Sequence, residues 1–351
     1  MSKFDTKTGE FKSSSEFWST ARKFFSGVPD GRIESLTKAS LVEGTDSTGG
    51  VLVPEQWADE IYTAAMEDEI VRPRANVIPM STDTVRIPVL VDGSRATNIF
   101  GGVTLTKVSE GGDMYATTGA PAVGQLALVP SKHVATCFVS NELASDARAF
   151  GPFMVQAFGK AVRFLEDDMF INGTGSGQPL GIMNSPALIS VTRAGAYTYV
   201  LGKIDVTDIG NMAARLAPGC WQNALWLMNQ SVFAEWSNLT AAAANGAAIL
   251  DLSSMTCLGR PIIITEHCHA TGTAGDLILA DFSQYVIGDR EMRIESSREA
   301  TYSSNSYGWF QDQTSWKLTL RVDGQPLVSA PYTPKRGGAT VSPFVSLTTH
   351  S

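Results

Sequence analysis

Residues 150–186 read Phe150-Gly-Pro-Phe-Met-Val-Gln-Ala-Phe-Gly-Lys-Ala-Val-Arg-Phe-Leu-Glu-Asp-Asp-Met-Phe-Ile-Asn-Gly-Thr-Gly-Ser-Gly-Gln-Pro-Leu-Gly-Ile-Met-Asn-Ser-Pro186. Pro152 suits the first turn of a helix, where its missing N–H is no loss. Met154, Phe158, Val162, Leu165 and Met169 recur at helical spacing and mark one apolar face. Asn172-Gly173 predicts the stop, because both residues accept the left-handed conformation at a helix C-terminus. A long helix over 151–172 therefore empties into a glycine-rich turn. That turn is not a phosphate-binding loop. Such a loop follows a strand, opens a helix and ends in Gly-Lys-Ser/Thr, whereas this one follows a helix and ends in Gln178-Pro179-Leu180-Gly181. The glycines are read as serving backbone geometry.

Upstream, Thr84-Val-Arg-Ile-Pro-Val-Leu-Val alternates, with Val85, Ile87, Val89 and Val91 on one side. Pro88 restricts this run to an edge or exposed strand. A second run, Val123 to Val139, is broken by Pro130. The insert between them carries Gly93, Gly101, Gly102, Gly111, Gly112 and Gly119. It is too long and polar for a tight hairpin and is expected to project. A long exposed hairpin is an aggregation hazard unless a neighbour covers it. Before these runs, Glu55 to Ile70 supports a helix with Trp57, Ile61, Ala64 and Ala65 on one face. Residues 1–48 are polar and read as an extended arm or a removable leader. Downstream, helical segments at 205–216 and 230–239 alternate with strands at 224–228, 261–265 and 276–280, and Trp316 to Val322 forms a late strand. The order is α+β, and the Gly-, Ser-, Thr- and Pro-rich tail after Lys335 is expected to be peripheral.

The chain has 351 residues, 43% hydrophobic and 18% charged, which describes a globular protein of two or three lobes. No window is long and apolar enough to span a membrane, and the N-terminal residues lack the apolar core of a signal peptide. Cys137, Cys220, Cys257 and Cys268 show no CxxC pair and read as buried thiols. His267-Cys268-His269 lacks the ligand gaps of a zinc site, so neither metal nor cofactor is expected. The formal net charge of −8 argues against a phosphate-gripping surface. If DNA is nearby in function, the chain encloses it more than it binds it.

Four local patterns, in order, resemble the tailed-bacteriophage major capsid proteins of the Hong Kong 97 (HK97-like) type. They are Thr48-Gly-Gly-Val-Leu-Val-Pro-Glu55 with Ala75-Asn-Val-Ile-Pro-Met80; Phe170-Ile-Asn-Gly-Thr-Gly-Ser-Gly-Gln-Pro-Leu-Gly-Ile182; Leu258-Gly-Arg-Pro-Ile-Ile-Ile-Thr-Glu266; and Leu279-Ala-Asp-Phe-Ser-Gln-Tyr-Val-Ile-Gly-Asp-Arg290. The resemblance implies an α+β capsid fold with an N-terminal extension (1–48), an N-terminal arm (49–83) and an extended β-hairpin loop (84–140). It further implies a peripheral domain (141–199 and 313–334) holding a spine helix (151–172), an axial domain (200–312) and a C-terminal tail (335–351). It implies self-assembly into pentamers and hexamers that form an icosahedral shell around double-stranded DNA, bound without sequence specificity. The other partners it implies are a scaffolding protein, a portal and cement proteins, with no membrane. The 48 residues before the arm are short for a fused scaffold, which favours a separate one. The setting is the virion, and the host cytoplasm during assembly.

The contact candidates are Gly102, Lys107 and Gly112 in the loop, and Glu166, Asp167 and Asp168 near the helix C-terminus. Some relatives join a loop lysine to an asparagine of a neighbour; plain solvation of Lys107 is the competing reading. The three carboxylates sit where negative charge is mildly unfavourable, so either an arginine from another subunit or solvent would balance them. Two other functions compete. An encapsulin-like compartment would share the fold and enclose protein cargo. A hydrolase needs a nucleophile on a strained turn, yet no Gly-x-Ser-x-Gly occurs. The four histidines, His133, His267, His269 and His350, form no acid–base constellation.

Overall fold

The computed structural model describes residues 20, 23, 51–52, 69–95, 107, 109–111, 123–140, 147–193, 204–242, 250–251, 254–297, 301–303, 306–307 and 313–349. The predicted helix over 55–70 and most of 1–48 lie outside these residues. The chain divides into two units, the first comprising 1–69, 132–166 and 290–322, the second 70–131, 167–289 and 323–351.

Helix α1 (Ala147–Asn172), whose residues up to 166 belong to the first unit, buries Met154, Phe158 and Val162. The spacing thus placed the helix well, although it begins four residues before 151. The sheet of this unit runs in the order β1 (Val51–Leu52), β12 (Tyr285–Ser297), β15 (Gln313–Pro326), β5 (Ser131–Ser140). In β15, Thr314, Trp316, Leu318, Leu320 and Val322 are buried, while Ser315, Lys317, Thr319 and Arg321 are half-buried. That is the period-two pattern of a strand with one face inward. On the outer face the Glu295 carboxylate takes both Lys317 and Arg293, the latter at 2.6 Å. Burial works against its charge, but the two cations outweigh burial and hold the carboxyl below its ordinary range.

The second unit is built on a seven-stranded sheet in the order β6 (Ile189–Thr192), β16 (Phe344–Thr348), β11 (Leu277–Ala280), β7 (Leu225–Met228), β10 (Arg260–Ile264), β9 (Thr256–Cys257), β8 (Leu250–Asp251). Every residue of β7 and β11 is buried, as expected of a strand covered on both faces. Helix α2 (Val206–Arg215) contributes Ile209 and Met212, and helix α3 (Gln230–Ala242) contributes Val232 and Trp236, to a core that includes Trp226, Leu277, Leu279 and Val345. Asp205 and Asp208 form a reciprocal capping box at the start of α2. A separate two-stranded sheet pairs β3 (Val85–Leu90) with β4 (Val123–Leu128), in register from Val85 with Leu128 to Leu90 with Val123. Strand β2 (Asn76–Pro79) lies parallel to the opening residues of β12, Val286–Asp289.

The structure corrects four expectations. The stretch after Lys335 is not peripheral: β16 sits between β6 and β11, with Phe344, Val345 and Leu347 fully buried. Its apolar run outweighs the loop-like composition around it. Residues 131–140 belong to the sheet of the first unit, so the paired hairpin is 85–90 with 123–128. Leu165 is 38% exposed, while Glu166 is fully buried. After Val162 the buried row steps to position 166, four residues on, and leaves Leu165 outside. Gly173 is not left-handed. It is required because a Cβ there would collide with the carbonyl oxygens of Met169 and Pro179. Gly175 and Gly177, further into the turn, are the left-handed residues, with φ of 77° and 67°.

Candidate assembly surfaces

The hairpin has two unlike faces. On one, Val85 and Ile87 pack with Ile78 and Leu327 against buried Met80, Leu128 and Val286. On the other, Arg86, Pro88, Val123, Gln125 and Ala127 are exposed. Val123 is 58% exposed, more than any other large apolar side chain described. Among the described residues β3 and β4 pair only with each other, so Pro88 withholds no ladder bond from a third strand.

Polar anchors fix both roots of this ribbon. On the incoming side, Arg72, almost wholly buried, donates to Asp289 Oδ2 at 3.0 Å, and the Met80 N–H donates to the Asp289 carbonyl at 2.6 Å. On the outgoing side, the Val129 N–H donates to Asp323 Oδ2 at 2.6 Å, and Gln325 Nε2 donates to the Ala127 carbonyl at 3.0 Å. Burial pushes the Asp289 carboxyl up against the pull of Arg72. It pushes Asp323 up against only the two backbone N–H groups of Val129 and Gly324. Beyond β3, Arg95 caps the turn by pairing with Asp92 at 2.7 Å and lying 3.9 Å over the Tyr332 ring. Its N–H donates to the Thr333 carbonyl at 2.9 Å. The insert is thus pinned at its start, and Lys107 within it is exposed. Gly102 and Gly112 lie outside the described residues.

The three carboxylates of α1 do not form one acidic patch. Glu166 is buried. Asp167 is also buried and accepts the N–H groups of Ile70 and Val71 at 3.1 Å each. It is therefore engaged within its own subunit, which explains how a negative charge sits stably near a helix C-terminus. Asp168 alone is exposed, accepting from Asn172 Nδ2 at 2.9 Å, with His267 Nδ1 at 3.8 Å. The outer side of α1 instead carries an apolar row of Ala157, Ala161, Phe164 (48% exposed) and Leu165. The sequence pattern held the signal: Phe164 is apolar but falls off the 154–158–162 face. Arg72, Asp289 and Asp323 had no such signal, because isolated charges reveal their partners only in the fold.

Burial pushes the Cys220, Cys257 and Cys268 thiols up to about 12, far from nucleophilic thiolates. Among the described residues, no three His, Cys, Asp or Glu side chains converge as metal ligands, and no helix is long and apolar enough to cross a membrane.

A sequence profile described as the phage capsid family matches residues 49–333. No curated protein matches in sequence. Among solved structures, the chain is similar to one described as the capsid of a native GTA particle computed with C5 symmetry. The TM-score is 0.56 at 16% identity, over 90% of this chain and 98% of that one. It is similar to a chain of Mycobacterium phage Adephagia at 17% identity and TM-score 0.54, covering 89% and 96% of the two chains. A chain of Gordonia phage Cozz gives 12% identity and TM-score 0.55 over 81% and 87%. At such identities the likeness establishes a shared fold.

Proposed function

The chain belongs to the phage capsid family, and from that premise we propose that its copies close into pentamers and hexamers that tile an icosahedral shell around double-stranded DNA. It is a major capsid protein with the HK97-like fold, a structural protein and not an enzyme. The observation that carries the proposal is the β3–β4 ribbon, a separate sheet with one face against its own subunit and an exposed face bearing Val123. In this reading the ribbon and the insert beyond it, with Gly102, Lys107 and Gly112, lie over a neighbouring subunit. The apolar row on α1 is a second surface for a neighbour. Residues 49–83 serve as the arm, 141–199 and 313–334 as the peripheral domain, and 200–312 as the axial domain.

Head-to-tail contacts close into rings when the rotation closes. A standard interface buries on the order of 1,600 Å², yet association costs roughly 4–15 kcal/mol of rigid-body freedom. Several modest contacts per subunit solve this problem. Once one holds, the rest become intramolecular, while single contacts stay weak enough for misplaced subunits to leave. A net charge of −8 suits enclosure of DNA without tight adhesion to it. A separate scaffolding protein, a portal and cement proteins complete the partners, and assembly takes place in the host cytoplasm.

Size-exclusion chromatography and negative-stain microscopy of the purified chain test the proposal. Capsomers or shells are expected, and nuclease-resistant DNA is expected in particles from infected cells. A stable monomer under every assembly-promoting condition would overturn it, and protein cargo in place of DNA would overturn the packaging half.

A further inference from the structure

Two neighbouring residues of β15 hold two remote segments. The Asp323 carboxylate accepts the Val129 N–H at 2.6 Å and the Gly324 N–H at 2.8 Å. The Gly324 carbonyl accepts the Leu180 N–H at 2.8 Å, and Leu180 lies in the glycine turn that ends α1. The Leu180 carbonyl in turn accepts the Tyr285 hydroxyl at 2.9 Å. That hydroxyl occupies the space beside Gly324: a Cβ on residue 324 would come within 2.6 Å of it and 3.0 Å of Phe170 Cε1. The Phe170 and Tyr285 rings stack at a tilt, 5.6 Å apart. Leu128, Phe170 and Tyr285 are fully buried and Asp323 nearly so.

We propose that Asp323 and Gly324 form a joint, so that displacing the outgoing hairpin strand loosens the turn at the end of α1, and loosening the turn frees the strand. The Val129 side chain is exposed, but the bond from its N–H to Asp323 is partly buried, and the close packing of Asp323, Phe170 and Tyr285 leaves little slack to absorb a shift locally. When Val129 moves, the Asp323 carboxylate either follows or leaves an N–H unsatisfied. Following it turns Gly324, whose far side is blocked by Tyr285, and the carbonyl that holds Leu180 turns with it. Coupling of this kind is reciprocal. The joint lies within one subunit and holds whether or not the chain forms shells, so its test is separate from the assembly test.

Amide hydrogen exchange of the full-length chain decides the matter. In Asp323→Ala, Val129 should exchange on the order of tenfold faster, as expected for one lost, partly buried hydrogen bond. Leu180 should accelerate with it, while Leu227 and Ile278 in β7 and β11 stay unchanged. Gly324→Ala, which pushes on Tyr285 from the other side, should speed the same two amides. Acceleration of Val129 with Leu180 unchanged would overturn the joint, as would equal acceleration throughout. Should a variant fail to fold, the wild type decides: Val129 and Leu180 must share one opening free energy across a denaturant series. Two different values would overturn the joint.

Discussion

The β3–β4 ribbon and the β7–β11 pair of strands are built on opposite principles. Leu225–Met228 and Leu277–Ala280 lie inside the seven-stranded sheet with every side chain buried. Their stability comes from apolar area and packing, spread over many contacts. The ribbon has one half-buried face, two strands and a few polar anchors, chiefly Arg72 with Asp289 and Asp323 with Val129. Spread-out burial makes a rigid body. A few point anchors make an appendage whose angle can be set by its roots. In the proposed rings of five and six, a subunit would need both.

The largest effect should come from the rigid region. Trp226→Ala removes a fully buried ring that meets Trp236 edge-on at 5.9 Å. A loss of about 3–5 kcal/mol is expected, read from the denaturant midpoint of the subunit. Asp167→Ala comes next, because it strips the N–H groups of Ile70 and Val71 of their acceptor. About 1–3 kcal/mol should be lost, with protease cleavage near residue 70 as the local readout. No change in cleavage would mean that those N–H groups find water.

The pH dependence separates the Asp323 anchor of the ribbon from the Glu295 cluster of the first unit's sheet by sign. Burial raises the folded-state pKa of Asp323, whose carboxylate faces the Val129 and Gly324 N–H groups and the Tyr285 hydroxyl. Its contribution is therefore fully present below the ordinary carboxyl value and is lost as pH rises through the raised one. Glu295, held down by Lys317 and Arg293, behaves oppositely. Its contribution is present above the ordinary value and is lost as pH falls through the lowered one. The Tm of Asp323→Asn minus that of wild type should thus grow as pH rises, and a flat difference would contradict this assignment. The smallest effect on the subunit belongs to Phe164→Ser with Leu165→Ser. Stability should move by no more than about 0.5 kcal/mol per surface substitution, while particle yield on a sizing column falls. Undiminished yield would remove the apolar row of α1 from the assembly surfaces.

What could be read before folding follows from the same contrast. The helix, the β3–β4 pair and strands β7 and β11 announced themselves by periodicity or by unbroken apolar runs, which are local properties. The glycine turn was placed correctly but for a partly different reason. Gly173 answers to Pro179, whose carbonyl approaches from six residues away. The carboxylates of α1 could be found but not interpreted. Asp167 finds its partners at 70 and 71, and nothing near residue 167 in the chain indicates them. Strand β16 was hidden because five residues among Gly, Ser, Thr and Pro look like a loop until β6 and β11 flank them.

The position of β16 has a temporal consequence. Residues 344–348 are made after every other strand of their sheet, yet they form the inner rung that joins β6 to β11. While they remain in the ribosomal tunnel, this sheet cannot close, and the two flanking strands have no common partner. A subunit cut short by a premature stop therefore lacks the wedge that sets its core. A chain ending before residue 344 is therefore expected to fail as a monomer, before any contact with a neighbour is tested.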